Sequence, residues 1–129
     1  MDFKFETMYD LLPDLIEFNY KGHTFYCREL SADDYKAYAT RSIKASQSKS
    51  SDELKNALTD MTTIALKGGL VNADRTPVFK NDKQVREFTS LFGAALVKQL
   101  EDIITEDRSV LEKKSSGEQS LTEANSTSE

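Results

Sequence analysis

The sequence predicts an α+β fold, mainly α: an N-terminal β-hairpin followed by three amphipathic helices, with a second short hairpin or turn between helices two and three. Three observations carry this. Apolar and polar residues alternate at Ile16, Phe18 and Tyr20 and again from Thr24 to Arg28, around Lys21-Gly22. That is the pattern of half-buried strands joined by a tight turn. Later stretches instead place apolar residues three and four apart, which is the helical period. Each such stretch follows a helix-starting pair three residues apart: Ser31 with Asp34, Ser50 with Glu53, Asn81 with Gln84. In such pairs the first side chain caps the orphan N–H groups of the opening turn.

The chain begins with an acidic and aromatic segment, residues 1–14, which its place near a terminus and its separation by Pro13 make a candidate for docking in trans. Phe5, Met8, Tyr9 and Leu12 recur at helical spacing, so residues 6–12 read as a short helix. Pro13 disfavours the helical conformation at Leu12 and ends it. Asp2, Glu6, Asp10, Asp14 and Glu17 face a single Lys4, making this the most negative part of the protein. In the hairpin, Gly22 takes positive φ without steric cost. Helix one, residues 32–44, has Leu30 and Tyr35 at the two positions of a hydrophobic staple. Tyr35, Tyr38, Ala39, Ser42 and Ile43 are its expected inner face. Small polar residues then form a loop over residues 45–51.

Helix two places Leu54, Ala57, Leu58, Met61, Ile64 and Ala65 on one face. Gly68-Gly69 is its expected stop, through a left-handed residue just past the helix end. Leu70-Val71 and Val78-Phe79 flank Asn72-Ala73-Asp74-Arg75-Thr76-Pro77, the second turn or hairpin. Helix three carries a broad stripe of Val85, Phe88, Leu91, Phe92, Ala95, Leu96, Leu100, Ile103 and Ile104. Gly93 weakens its middle by about 1 kcal/mol relative to alanine, which leaves a continuous helix, a kink or a break open there. Continued to Val110 and Leu111, it would extend on the order of 40 Å. From Lys113 onward the chain is polar and small. It lacks the apolar surface to offset its ordering entropy. The expectation is one globular domain over residues 1–112 and a disordered tail over residues 113–129.

Composition narrows the function. With 129 residues, 38% of them hydrophobic, and a net charge of −5, the chain suits one small domain. It has no lysine–arginine cluster of the kind that binds nucleic acid. The apolar run from Phe92 to Val97 is far too short for a bilayer, and the first residues lack a signal-peptide pattern. A single cysteine cannot make an internal disulfide. A soluble intracellular protein is expected, with no nucleic acid and no membrane among its partners.

Candidate chemistry is sparse. His23 and Cys27 lie four residues apart, roughly 13 Å on an extended strand, too far for a thiol–imidazole pair. Asp33-Asp34 suits the first turn of a helix, where the dipole favours negative charge. Gly68-Gly69 lacks the following Lys-Ser/Thr of a phosphate loop. The expectation is a non-enzyme with no cofactor and no metal. Apolar surface is the stronger signal. Leu91, Phe92, Leu96, Leu100 and Ile103, then Phe3, Phe5 and Leu12, are the candidates for contact with a partner.

Thr24-Phe25-Tyr26-Cys27-Arg28-Glu29-Leu30-Ser31-Ala32-Asp33-Asp34-Tyr35, after a strand ending in Lys-Gly, resembles the opening of the tail assembly chaperones of long-tailed bacteriophages. Leu70-Val71-Asn72-Ala73-Asp74-Arg75-Thr76-Pro77-Val78-Phe79, with Val85 and Leu91 beyond, is similar to that family's second landmark. The likeness spans roughly residues 18–104. Arg75 stands where such proteins often carry glycine, and Leu91-Phe92-Gly93 where a Leu-Pro pair is common. The resemblance implies a non-catalytic chaperone of the tape-measure protein that helps recruit the tail-tube protein. It also implies a homo-oligomer acting in the host cytoplasm and absent from the virion. A longer frameshifted form is a further implication, with Lys113-Lys114 as the candidate slippery codon pair and an ordinary charged helix end before the tail as the equal alternative. Two rivals stand beside it: an acidic inhibitor imitating nucleic acid, and a small enzyme with a polar pocket around His23.

Overall fold

A computed structural model of the chain describes residues 2–106. β1 (Ile16–Tyr20) and β2 (His23–Cys27) pair antiparallel as a hairpin, with Phe18 opposite Phe25 and Tyr20 opposite His23. Lys21 and Gly22 have φ of 50° and 82°. Two left-handed residues in a two-residue loop match the right-handed twist of the strands. The sheet has a third member, β3 (Leu70–Val71), antiparallel to β2 with Cys27 opposite Leu70. The order is therefore β1-β2-β3.

Four α-helices accompany the sheet: α1 (Ala32–Ser46), α2 (Ser51–Gly69), α3 (Asp82–Leu91) and α4 (Ala94–Thr105). The architecture is α+β and mainly α, with the hairpin ahead of the α-helices. The expected helix starts are in place. Ser31 Oγ accepts from Asp34 N at 3.1 Å, Ser50 Oγ from Glu53 N at 3.2 Å, and Asn81 Oδ1 from Gln84 N at 3.0 Å. Glu53 and Gln84 also reach back, accepting from Lys49 N and Lys80 N. Before the sheet, the segment Phe5–Leu11 is a 3₁₀ helix instead of an α-helix, with Thr7 out of helical geometry and no buried residue.

Three details differ from the sequence reading. The last stripe takes the break that Gly93 left open, so the expected three helices are four. Phe92 is extended at φ −105°, ψ 151°, and Gly93 is the N-cap of α4. The 40 Å rod is thereby replaced by two short helices, and α4 ends at Thr105 with Glu106 extended. Reorienting the chain at Phe92-Gly93 lets α3 turn Val85 inward while α4 buries Leu96, Leu100 and Ile104. A straight helix would wind those positions progressively around its axis. Second, Gly68 and Gly69 are not left-handed; the only glycine with positive φ among the described residues is Gly22. Both lie inside α2, where they give room: a Cβ on Gly69 would collide with the Ile104 side chain. Third, α1 is rotated from its expected face. Tyr35 and Ile43 are largely exposed and Ser42 is exposed, while Tyr38 and Ala39 do face inward. The expected continuation to Val110 and Leu111 and the polar tail lie outside the described residues.

The second turn is a compact loop beside β3. Val71 makes one bridge to Pro77, and Val78 N donates to Leu70 O at 3.3 Å. Asn72 N donates to Thr76 O and Arg75 N to Asn72 O, both at 2.8 Å. Arg75, at the position where the resemblance led to glycine, is left-handed at φ 74°. Asp74 accepts from both Thr76 Oγ1 and Thr76 N. Those bonds hold its carboxyl below the usual carboxylate range.

The core gathers Cys27, Leu30, Ala65, Leu66, Leu70, Phe79, Val85, Leu96, Leu100 and Ile104, drawn from β2, β3, α2, α3, α4 and their connections. α2 is its hub, touching α1, α3, α4 and β3. Full burial of a side chain such as Leu66 or Leu100 is worth about 1.5–3 kcal/mol. Among the described residues no helix is long and apolar enough to cross a membrane.

Candidate functional site

The residues with chemical potential do not converge. His23 is exposed at the turn end of β2, whereas Cys27 is fully buried at the other end of the same strand. Asp33 and Asp34 lie in the first turn of α1. Among the described residues no group of three or more His, Cys, Asp or Glu side chains is placed to hold a metal ion.

One polar cluster does join distant elements. Tyr38 Oη on α1 donates to Glu101 Oε2 on α4 at 2.7 Å, and Thr62 Oγ1 on α2 donates to Glu101 Oε1 at 2.7 Å. Thr105 Oγ1 donates to the Glu101 carbonyl at 2.8 Å. Burial, then the adjacent Glu101 carboxylate, push the Tyr38 phenol well above its ordinary range. Each oxygen of the carboxylate has a donor, so the cluster clasps three helices together.

The candidate contact residues divide sharply. Leu96 and Leu100 belong to the core, 4% and 0% exposed, and Ile103 packs half-buried against it. The first two are thereby corrected: they hold α4 to the body and offer no surface. Leu91 is 80% exposed and Phe92 42%. Phe3, Phe5 and Leu12 are exposed as well, together with Tyr9 and Leu11.

Phe92 forms one wall of an open groove of about 490 Å³ between α2 and the α3–α4 break. Leu54 and Leu58 form the facing wall, Val97 lies along it, and threonines and Lys55 are among the other lining residues. In sequence Leu54 and Leu58 share one helix face with Ala57 and Ala65. Ala57 and Ala65 are buried, whereas Leu54 and Leu58 remain half exposed. Phe92 is itself anchored through an aromatic series. Phe18 meets Phe25 at 6.3 Å between centroids, Phe25 meets Phe88 at 6.5 Å, and Phe88 meets Phe92 at 4.7 Å. Edge-to-face and tilted contacts of this kind add about 0.5–1.5 kcal/mol each to plain area burial. The groove therefore has one stiff aromatic wall and one aliphatic wall.

The N-terminal segment is the second apolar surface. Arg75 Nη2 donates to Pro13 O at 2.6 Å, which pins the base of the segment to the loop after β3. Beyond that point the aromatic side chains face outward. What this pair of surfaces can do chemically is bind an apolar peptide face. No protein-family model, curated protein or solved structure matches the chain.

Proposed function

We propose that the chain is a non-catalytic tail assembly chaperone that keeps a long-tailed phage's tape-measure protein soluble in the host cytoplasm. In this reading it helps bring tail-tube subunits to that client through a frameshift-extended form, and is absent from the finished virion. The observation that carries the reading is the apolar groove of Leu54, Leu58 and Phe92, flanked by the exposed Leu91. The order of sequence landmarks resembling the family supports it independently. A tape-measure protein is long and helical, so its exposed apolar stripes require cover before the tail forms. An amphipathic helix laid into the groove would bury its i, i+3, i+4 and i+7 side chains between the two walls. The net charge of −5 keeps such a complex dispersed.

The test is co-expression with the tape-measure protein. Leu58→Asp combined with Leu91→Asp alters exposed positions only, so the chaperone keeps its circular dichroism spectrum. The client is expected to move into the insoluble fraction. A folded double variant that still keeps the client soluble excludes this surface. Leu96→Asp and Leu100→Asp are unsuitable, because a charge at those buried sites reports on folding.

A further inference from the structure

We infer that the groove between α2 and Phe92 receives the N-terminal segment of a second copy of this chain. The groove and the segment are both apolar, and among the described residues neither is covered by the other. Phe5, Tyr9 and Leu11 are each about seven-tenths exposed, so the segment does not fill the groove of its own chain. A short 3₁₀ stretch that buries none of its residues has little to hold it in place. Its base is nevertheless fixed by the Arg75–Pro13 hydrogen bond, which presents it as an arm of defined origin.

Charge points to the same occupant. The arm carries Asp2, Glu6, Asp10 and Asp14 against one Lys4. Among the described residues the only ionisable side chain lining the groove is Lys55. The spacing fits too. Phe5, Met8, Tyr9 and Leu12 stand at i, i+3, i+4 and i+7, one face of an α-helix. Turned fully α-helical, residues 5–12 would span about 12 Å, and the groove wall from Ser51 to Thr63 runs about 20 Å at the same rise per residue. Insertion of an arm into a neighbour closes either as a reciprocal two-fold exchange or, head to tail, as a ring. A second copy would thus cover the client surface until a client displaces it. That last consequence rests on the client reading; the self-association does not.

Sedimentation of the full-length protein without any client tests this. The wild type is expected to associate with rising concentration. Phe5→Asp with Leu12→Asp should damage the arm, and Leu58→Asp the groove; each is expected to raise the dissociation constant by at least about tenfold. Mixed together, the two variants should recover a heterodimer, because one still has the groove and the other the arm. A wild type that stays monomeric into the millimolar range overturns the inference. So do variants that associate like the wild type, or a mixture that fails to complement. A labelled peptide of residues 2–14 supplies a second readout, with binding to the wild type expected and binding lost in Leu58→Asp. Failure in these arms leaves client solubilisation untouched, since no client is present.

Discussion

Gly69 closes α2 with its α-carbon against Ile104, and the contact leaves no room for a methyl group. Gly68, one position earlier, has the Asp34 carboxylate as its nearest neighbour, with Leu30 just beyond. The two glycines look equivalent in sequence and are not equivalent in packing. Ile104 is 1% exposed and cannot swing away, whereas a carboxylate at the end of a flexible side chain can. Gly69→Ala is therefore expected to destabilise by about 1–3 kcal/mol through overpacking, despite the roughly 1 kcal/mol by which alanine favours a helix over glycine. Gly68→Ala should change stability by less than about 1 kcal/mol in either direction. Urea denaturation of the two variants measures the contrast; equal losses would mean that the Ile104 contact is not what requires Gly69. Arg75 is a residue-scale exception of another kind. It holds a left-handed conformation that glycine would adopt more easily, yet its guanidinium is what fastens Pro13.

At the scale of elements, the break between α3 and α4 is set by burial and not by glycine's freedom. Gly93 has φ −73°, ψ 161°, open to any residue, and a Cβ there meets nothing within 4 Å. It acts as an N-cap without a side-chain acceptor. Gly93→Asn should supply that acceptor and stabilise by about a few tenths of a kcal/mol, with helical content unchanged by circular dichroism. A rise in helicity would instead mean that glycine itself was holding the two helices apart. The hairpin and the capped starts of α1, α2 and α3 were legible from sequence because each rests on close neighbours along the chain. The face that each helix buries was less legible. α1 borders α2 far more closely than any other element; Tyr38 reaches past α2 to Glu101 on α4, while Tyr35 stays outside.

For the whole molecule, the Tyr38–Glu101–Thr62 clasp ties α1, α2 and α4 across 63 and 39 residues of sequence. Folding raises the Tyr38 pKa above its ordinary value of 10.0. Below about pH 10 the phenol is neutral in both states and the clasp's contribution is complete. As pH rises further the unfolded chain ionises first, so stability falls on the way to the folded-state pKa. The urea midpoint should accordingly drop more steeply above about pH 10 in the wild type than in Tyr38→Phe. At neutral pH that variant is expected to lose about 0.5–1.5 kcal/mol, the net value of one hydrogen bond. Parallel pH profiles for the two proteins would rule out Tyr38 as the titrating group. The groove exists at this scale as well, since Leu54, Leu58, Phe92 and Val97 approach one another only after α3 and α4 have folded back on α2.

The fold class, the Lys21-Gly22 hairpin and the caps at Ser31, Ser50 and Asn81 are all written in the sequence. These are short-range matters of turn geometry, capping and periodicity. Tertiary structure decided that Leu96 and Leu100 are core while Leu54, Leu58 and Phe92 line a groove. It also made Gly69 a contact point, and it split the last stripe between two helices. A leucine carries the same hydrophobic signal wherever it stands, and whether it meets the interior or the solvent depends on where distant elements end.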